Sequence, residues 1–241
     1  MISNLTVLKK MLIIGILALF AFVAIGTIFL FNEKNILISE KKSKLVNIVE
    51  LPYSLVESEY KAFTDGKIDE KTAKENAVNA IKKLRYDKTN YIWINDDTLP
   101  HPKMIMHPIA TSLDGKVLNA EKFNCATDLE YANNEIVKTD GKKNLFQSFV
   151  EVVNKGNTGF VGYLWPKPKA DGINSEELYE KLSYVKKFDK WGWVIGSGIY
   201  IDDVNAEFNQ SLLNIILTVF FVLIVLGLVS YFIVKDIVTK V

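Results

Sequence analysis

The chain has 241 residues, a formal net charge of +1, 49% hydrophobic residues and one cysteine. Balanced charge argues against a nucleic-acid-binding surface, and a single cysteine excludes an internal disulfide. An exported domain would therefore depend on its own apolar core, which a chain of this length can build.

Residues 1–10 form a short tail ending in Lys9 and Lys10. From Met11 to Phe31 no residue is charged. At 1.5 Å per helical residue, about 20 residues cross a hydrocarbon core of roughly 30 Å. A signal-peptide core is shorter, about 7–15 residues, and is followed by a small-residue cleavage site. Phe31-Asn32-Glu33-Lys34 is not such a site, so residues 11–31 read as an uncleaved span. A second uncharged run, from Leu212 to Val234, predicts another span over 211–234. Lys235 and Lys240 follow it, and basic flanks favour the cytoplasm, so both termini are expected inside. Lys34, Lys41, Lys42 and Lys44 dilute the rule, but two spans hold both ends on one side. Residues 32–210 then form one extracytoplasmic domain, and the chain is a two-pass protein of the cell (inner) membrane.

Within that domain, Ile38, Leu45, Ile48, Val49, Leu55, Val56 and Phe63 recur at helical spacing. Pro52 lies inside this helix and is expected to kink or break it, and Asp65-Gly66 to end it. A second helix is predicted from Asp69, a suitable N-cap, to Tyr86. Its inner stripe is Ala73, Ala77, Ala80, Ile81 and Leu84. From Tyr91 the period changes to that of strands. Tyr91–Asn95 and Met104–His107, separated by turn residues, predict a hairpin.

Residues 111–134 carry few periodic cues. A helix is expected over Asp140–Asn154, with Gly156 as its stop. Three strands follow, Gly159–Trp165, Lys181–Phe188 and Trp193–Ile201, the first two separated by a Pro/Gly-rich excursion from Pro166 to Asn174. The sum is an α+β fold: a long N-terminal helix packed on an antiparallel sheet of about five strands, flanked by two transmembrane helices. Asp202–Gln210 contains no Gly or Pro and is expected to run as helix into the second span.

Several blocks together resemble the single-Cache sensor domain of bacterial receptors. They are Tyr91-Ile-Trp-Ile-Asn-Asp, Met106-His-Pro, Leu113-Asp-Gly-Lys, the run from Gly159 to Pro168, Lys181-Leu-Ser-Tyr-Val, and the run from Trp191 to Tyr200. Six ordered blocks are far more specific than any one of them. The resemblance implies a PAS-like sheet on a long helix with a ligand pocket on the sheet's outer side. Domains of this type occur in chemoreceptors, sensor histidine kinases and cyclic-dinucleotide enzymes. Relatives bind short organic acids such as acetate, propionate or pyruvate; others bind urea. The resemblance also implies a homodimer formed through the N-terminal helix and the transmembrane helices. Two features depart from the pattern. Residues Asn119–Thr139 are longer than the compact form, and the chain ends at Val241, where residues 235–241 resemble the start of a HAMP linker.

A small carboxylate needs a desolvated cation or several neutral donors between apolar walls. The single arginine, Arg85, falls late in the second predicted helix and reads as a solvated helix end. The resemblance points instead to Lys181 as the anchor; otherwise it is a solvated edge lysine. His107 is either a hydrogen-bond donor to the ligand or a packed histidine bonded to backbone, while His101 reads as exposed. Tyr91 and Trp93 alternate onto one face, as do Tyr163 and Trp165, and these four rings are candidate walls or ordinary core. Tyr184 is a further candidate, although a regular strand puts it on the face opposite Lys181. Gly196 and Gly198 leave room for a close approach. Cys125 has no partner for redox work. No catalytic signature is visible: there is no HExxH, CxxC, P-loop or GxSxG elbow. No metal site, cofactor or catalytic residue is expected. The chain reads as a transmembrane receptor, of methyl-accepting chemotaxis type, for a small organic anion. A kinase or cyclase sensor module and a membrane-tethered binding protein are the alternatives.

Overall fold

The computed structural model describes residues 7–87, 90–168 and 174–239. They form two units. Residues 39–202 make one, and residues up to 38 together with those from 203 make the other.

The second unit contains the apolar halves of two helices, α1 (Val7–Thr64) and α4 (Ile201–Thr239). Both are long and apolar enough to cross a membrane. Their large side chains stand open: Phe20 is 71% exposed and Phe221 66%. Uncovered apolar surface of this kind is consistent with a membrane protein.

The other unit is built around an antiparallel sheet. Its strands are β1 (Arg85–Tyr86), β2 (Asn90–Asp96), β3 (Met104–Met106), β4 (Asn124–Tyr131), β5 (Ile136–Asn144), β6 (Thr158–Pro168), β7 (Asn174–Phe188) and β8 (Trp193–Tyr200). The order is β1-β2-β8-β7-β6-β4-β5, with β3 paired to β2 beside a bulge at Ile94/Asn95. The expectation of about five strands thus falls short. The segment without periodic cues supplies β4, and β5 runs on to Asn144, over the first residues of the helix expected from Asp140, which begins instead at Leu145. As an edge strand it is mostly exposed and carries no apolar alternation to read.

Alternation along the inner strands sends side chains to two opposite layers. On one face, Ile92, Ile94, Tyr184 and Ile195 pack against Leu45, Val49 and Val56 of α1 and Ala77 and Ile81 of α2 (Glu70–Lys82). On the other, Tyr91, Trp93, Tyr163, Val185 and Val194 pack against α3 (Leu145–Gly156). The helix α1 continues through Pro52, which is buried on the same stripe as Leu45, Val49 and Val56. Lys186 ties the sheet to α1 through both carboxylate oxygens of Glu50, at 2.7 and 2.8 Å.

The helix ends are set by side-chain chemistry. Asp69 caps α2 by accepting the Thr72 N–H at 2.8 Å. This helix stops at Lys82, short of Tyr86, because Arg85 and Tyr86 turn out to pair with β2. The Arg85 guanidinium donates to the Lys82 and Leu84 carbonyls, capping the orphan end of α2. Asn144 caps α3 through the Gln147 N–H. The left-handed residue that ends α3 is Asn157, at φ 62°, rather than Gly156. The excursion between Pro166 and Asn174 lies largely outside the described residues.

Candidate functional site

Neighbouring strands line up one row of side chains beneath α3. Tyr163 on β6 is the register partner of Lys181 on β7, and Lys181 is the partner of Tyr200 on β8. Trp93 on β2 sits opposite Gly196. The two glycines of β8 make this row possible. A Cβ at Gly196 would stand 2.3 Å from Trp93 Cζ2, and one at Gly198 would stand 2.1 Å from Ser183 Oγ and 3.0 Å from Lys181 Cε. The indole and the lysine stem therefore lie directly on backbone.

Lys181 is 3% exposed. Its Nζ donates to the Tyr91 hydroxyl at 3.3 Å and stands 4.5 and 4.8 Å from the ring centroids of Tyr91 and Tyr200. Among the described residues no carboxylate forms an ion pair with it. Burial pushes its ammonium down from 10.5 to about 7.

Tyr91, Trp93, His107, Leu145, Phe146, Phe149, Tyr163 and Trp165 close around a cavity of about 10 Å³. The rings interlock: Trp93 lies 5.1 Å from Phe149, Phe149 5.8 Å from Tyr163, and Tyr91 4.8 Å from His107, centroid to centroid. Such offset and edge contacts hold a cage in shape. The polar handles inside it are tied down. The Tyr163 hydroxyl and Ser183 Oγ lie 2.8 Å apart, and the Trp93 indole N–H donates to Asn95 Oδ1 at 3.1 Å. Burial raises the Tyr91 and Tyr163 phenols above their ordinary range, so both are neutral hydroxyls. Burial, and after it the Lys181 charge, lowers His107 from 6.5 to about 3, so the imidazole is neutral too.

Five of the residues singled out from sequence, Tyr91, Trp93, His107, Tyr163 and Trp165, thus line one cavity, and Lys181 adjoins it through Tyr91. Tyr184 does not join them. Strand β7 is regular from Lys181 to Phe188, so Tyr184 faces the α1 layer, 4.9 Å from Phe160. Sequence reasoning missed Leu145, Phe146 and Phe149, which read as the plain inner stripe of an amphipathic helix. Tyr200 was also missed, although it stands two residues from Gly198 on the same face.

A second, open concavity of about 490 Å³ is lined by residues of α1 alone, from Ser39 to Leu51. Its one lysine, Lys44, is already paired with Asp87 at 2.5 Å. That surface lacks walls, and the caged site is the better candidate for recognition. Among the described residues no group of three or more His, Cys, Asp or Glu side chains could hold a metal ion. Cys125 is half-buried, and burial lifts its thiol to about 11, away from reactivity.

A PAS-like antiparallel sheet roofed by a helix over a caged cation is the build of a small-molecule sensor domain. Comparison with known proteins agrees. The Cache domain family matches residues 23–221, and the chain belongs to that family. It is 31% identical over 211 residues, 88% of its length, to methyl-accepting chemotaxis protein McpP of Pseudomonas putida. It is 26% identical over 179 residues, 73% of its length, to sensor histidine kinase MctS of Rhizobium johnstonii. The chain spans about a third of these relatives, 34% and 32% of their lengths. Among solved structures, it resembles a periplasmic sensor domain of a chemotaxis protein, with TM-score 0.54, 35% identity and coverage of 68% of this chain and 97% of that one. It also resembles a Cache chemosensory domain described for its carboxylic acid recognition, with TM-score 0.56, 29% identity and coverage of 69% and 97%.

Proposed function

We propose that this chain is the sensing and membrane-spanning part of a chemoreceptor-type receptor that binds a short organic anion outside the membrane. The observation that carries the reading is Lys181: a buried ammonium that no described carboxylate pairs with, held against two phenol rings. A buried charge is costly unless paired, and a ligand carboxylate would supply the missing partner. The similarity to a Cache domain described for carboxylic acid recognition supports the same ligand class.

The proposed site is Lys181 with Tyr91, Trp93, His107, Tyr163 and Trp165. A cavity of about 10 Å³ holds one water molecule. A ligand of several heavy atoms therefore enters only as these rings move apart. That gives the ligand two arrangements to distinguish, which is what a switch requires. Strand β8 lies between β2 and β7 and ends at Tyr200, and α4 begins at the next residue, so movement of this strand would pass into the second span. Helix shifts of about 1–2 Å are the usual scale of such switches. With basic flanks inside, the sheet domain would face outward and both termini the cytoplasm. Pairing of two copies through α1 and the spans completes the reading. The similarity to MctS keeps a histidine kinase output as the second reading.

A thermal-shift screen of the chain in detergent, over short mono- and dicarboxylates, amino acids and urea, tests this. Ligand at a hundred times its Kd stabilises by about 2.7 kcal/mol, a readable rise in Tm. A carboxylate shift lost in Lys181→Ala supports the site. A carboxylate shift that survives in the variant removes the anchor, and a response to urea or amino acids alone removes the ligand class.

A further inference from the structure

Strands β6 and β7 outrun the sheet they belong to. The ladder of β4 against β6 ends at Tyr163, and that of β7 against β8 ends where Lys181 meets Tyr200. Among the described residues, β6 and β7 pair beyond those points only with each other, through Trp165↔Tyr179 and Pro166↔Leu178 to Pro168↔Asn174. This two-stranded ribbon therefore continues past the end of β8, at the place where α4 begins.

Three contacts tie the ribbon to the root of α4. Lys167 Nζ, on β6, donates to both carboxylate oxygens of Asp202, at 2.9 and 3.1 Å. The Tyr200 hydroxyl donates to the Pro166 carbonyl at 2.9 Å. The Tyr179 ring, on β7, meets Tyr200 edge-on with centroids 6.5 Å apart. Lys167 Nζ also stands 5.0 Å from the Tyr200 centroid and 5.6 Å from that of Tyr179, so two rings flank the ion pair. Lys167, Tyr179, Tyr200 and Asp202 all belong to the unit of residues 39–202. Both charged side chains are partly covered, and such a pair is screened less than one in open solvent.

Tyr200 is shared between this ion pair and the cage. Its centroid is 4.8 Å from the Lys181 ammonium and 5.0 Å from that of Lys167. Only Ile201 separates Tyr200 from Asp202, so those two residues move together. Lys167 belongs to another strand and need not follow. A displacement of the Tyr200 ring therefore pulls Asp202 against Lys167.

We infer that the Lys167–Asp202 ion pair is a latch between the β6–β7 ribbon and the first turn of α4, closed without ligand and released when the ring row opens. This deepens the proposed function and rests on it for the ligand that opens the row. The latch favours one of two arrangements, so ligand works against it and binds less tightly than it would to an unlatched chain. Loss of either partner returns that bias to the ligand while α4 loses its resting position.

The test uses the full chain in detergent and follows amide hydrogen exchange by mass spectrometry, first without ligand. The amides of residues 205–208 report the latch, because their helical acceptors are the carbonyls of residues 201–204. Lys167→Gln and Asp202→Asn are each expected to speed exchange there about two- to fivefold, the scale of a partly exposed ion pair, and the double variant no further than either alone. Lys167→Asp combined with Asp202→Lys rebuilds the pair in reverse and should recover part of the protection. Propionate is then the probe. With it bound, wild type should exchange at 205–208 as fast as the unliganded single variants, and calorimetry should show those variants binding it about two- to fivefold more tightly. Unliganded variants that exchange like wild type at 205–208 overturn the latch. Propionate that binds wild type but leaves exchange there unchanged, or that binds wild type and variants equally, makes the pair a static brace and overturns the release. A wild-type protein that ignores propionate removes the carboxylate reading instead, and the comparison of unliganded proteins then decides the latch on its own.

Discussion

The Lys181 ammonium donates to the Tyr91 hydroxyl at 3.3 Å and stands 4.5 Å from the centroid of the same ring, so one phenol is both its acceptor and its π-face. Tyr200 offers a second face at 4.8 Å. These contacts soften the charge without neutralising it, and desolvation still takes Lys181 down to about 7 from 10.5.

A pH dependence with a defined sign follows from that depression. Between about 7 and 10.5 the unfolded chain binds more protons at this lysine than the folded one. Stability of the unliganded protein should therefore rise with pH across that window, and the contribution should be lost as pH falls toward 7. Anion affinity should move the other way, weakening by up to about tenfold per pH unit above 7 as the ammonium is lost. Calorimetry with propionate from pH 6 to pH 9, beside Tm over the same range, checks both slopes. Lys181→Met should flatten them, and persistence of either slope in that variant would assign it to another group.

The contact of Trp93 with Gly196 is equally specific. An added Cβ would meet Cζ2 at 2.3 Å and Cε2 at 2.7 Å, in a cage with little room to yield. Gly196→Ala is expected to cost about 1–3 kcal/mol as overpacking. Trp93→Phe removes the crowded six-membered ring of the indole, so the double variant should be more stable than the sum of the two single losses predicts. Additive losses in urea denaturation would mean that the strain lies elsewhere.

What the sequence revealed follows its periodicity. Tyr91 with Trp93, and Tyr163 with Trp165, were assigned to shared faces because strand side chains alternate, and β2 and β6 carry that alternation without interruption. The same rule placed Tyr184 opposite Lys181, where the regular β7 keeps it. Strands β4 and β5 escaped notice because β5 exposes two consecutive apolar residues, Ile136 and Val137, and then runs polar, so neither shows a clean alternation, and their turn, at Asn133-Asn134, resembles any loop. The roof escaped for a different reason. Phe146 and Phe149 have the i, i+3 spacing of an ordinary core stripe, and only the tertiary packing of α3 over the sheet turns that stripe into a wall of the cavity. The amides of Ile109 and Ala110 meet His107 Nδ1 because of the turn after Pro108, and no residue pattern encodes that.

Asn95 tests how the cage is braced. It is fully buried, accepts from the Trp93 indole at 3.1 Å and donates to the Asp96 carbonyl at 2.9 Å. Asn95→Ala strands the indole N–H in an apolar layer, which should cost about 1–3 kcal/mol. Trp93→Phe in the Asn95→Ala background removes the stranded donor and should recover part of the loss. Chemical denaturation of the four proteins reads the coupling, and an Asn95→Ala protein as stable as wild type would show that the indole N–H finds another acceptor.

Phe149 decides whether α3 is a wall of the site or merely core. The ring is 1% exposed and touches Trp93 and Tyr163, the two strand residues most central to the cage. Full truncation to alanine would cost about 3–5 kcal/mol and risks the fold, so Phe149→Leu is the informative change. It opens space on the α3 side of the cavity while leaving Lys181, His107 and their partners in place. If the ligand's carboxylate is held at Lys181 and its tail runs toward α3, the variant should shift preference from propionate toward valerate. The contact with Lys181 is unchanged, so the pH dependence of binding should be the same as in wild type. Should affinity for both acids fall together with stability, Phe149 serves packing alone and the tail runs in another direction, along the row toward Tyr200.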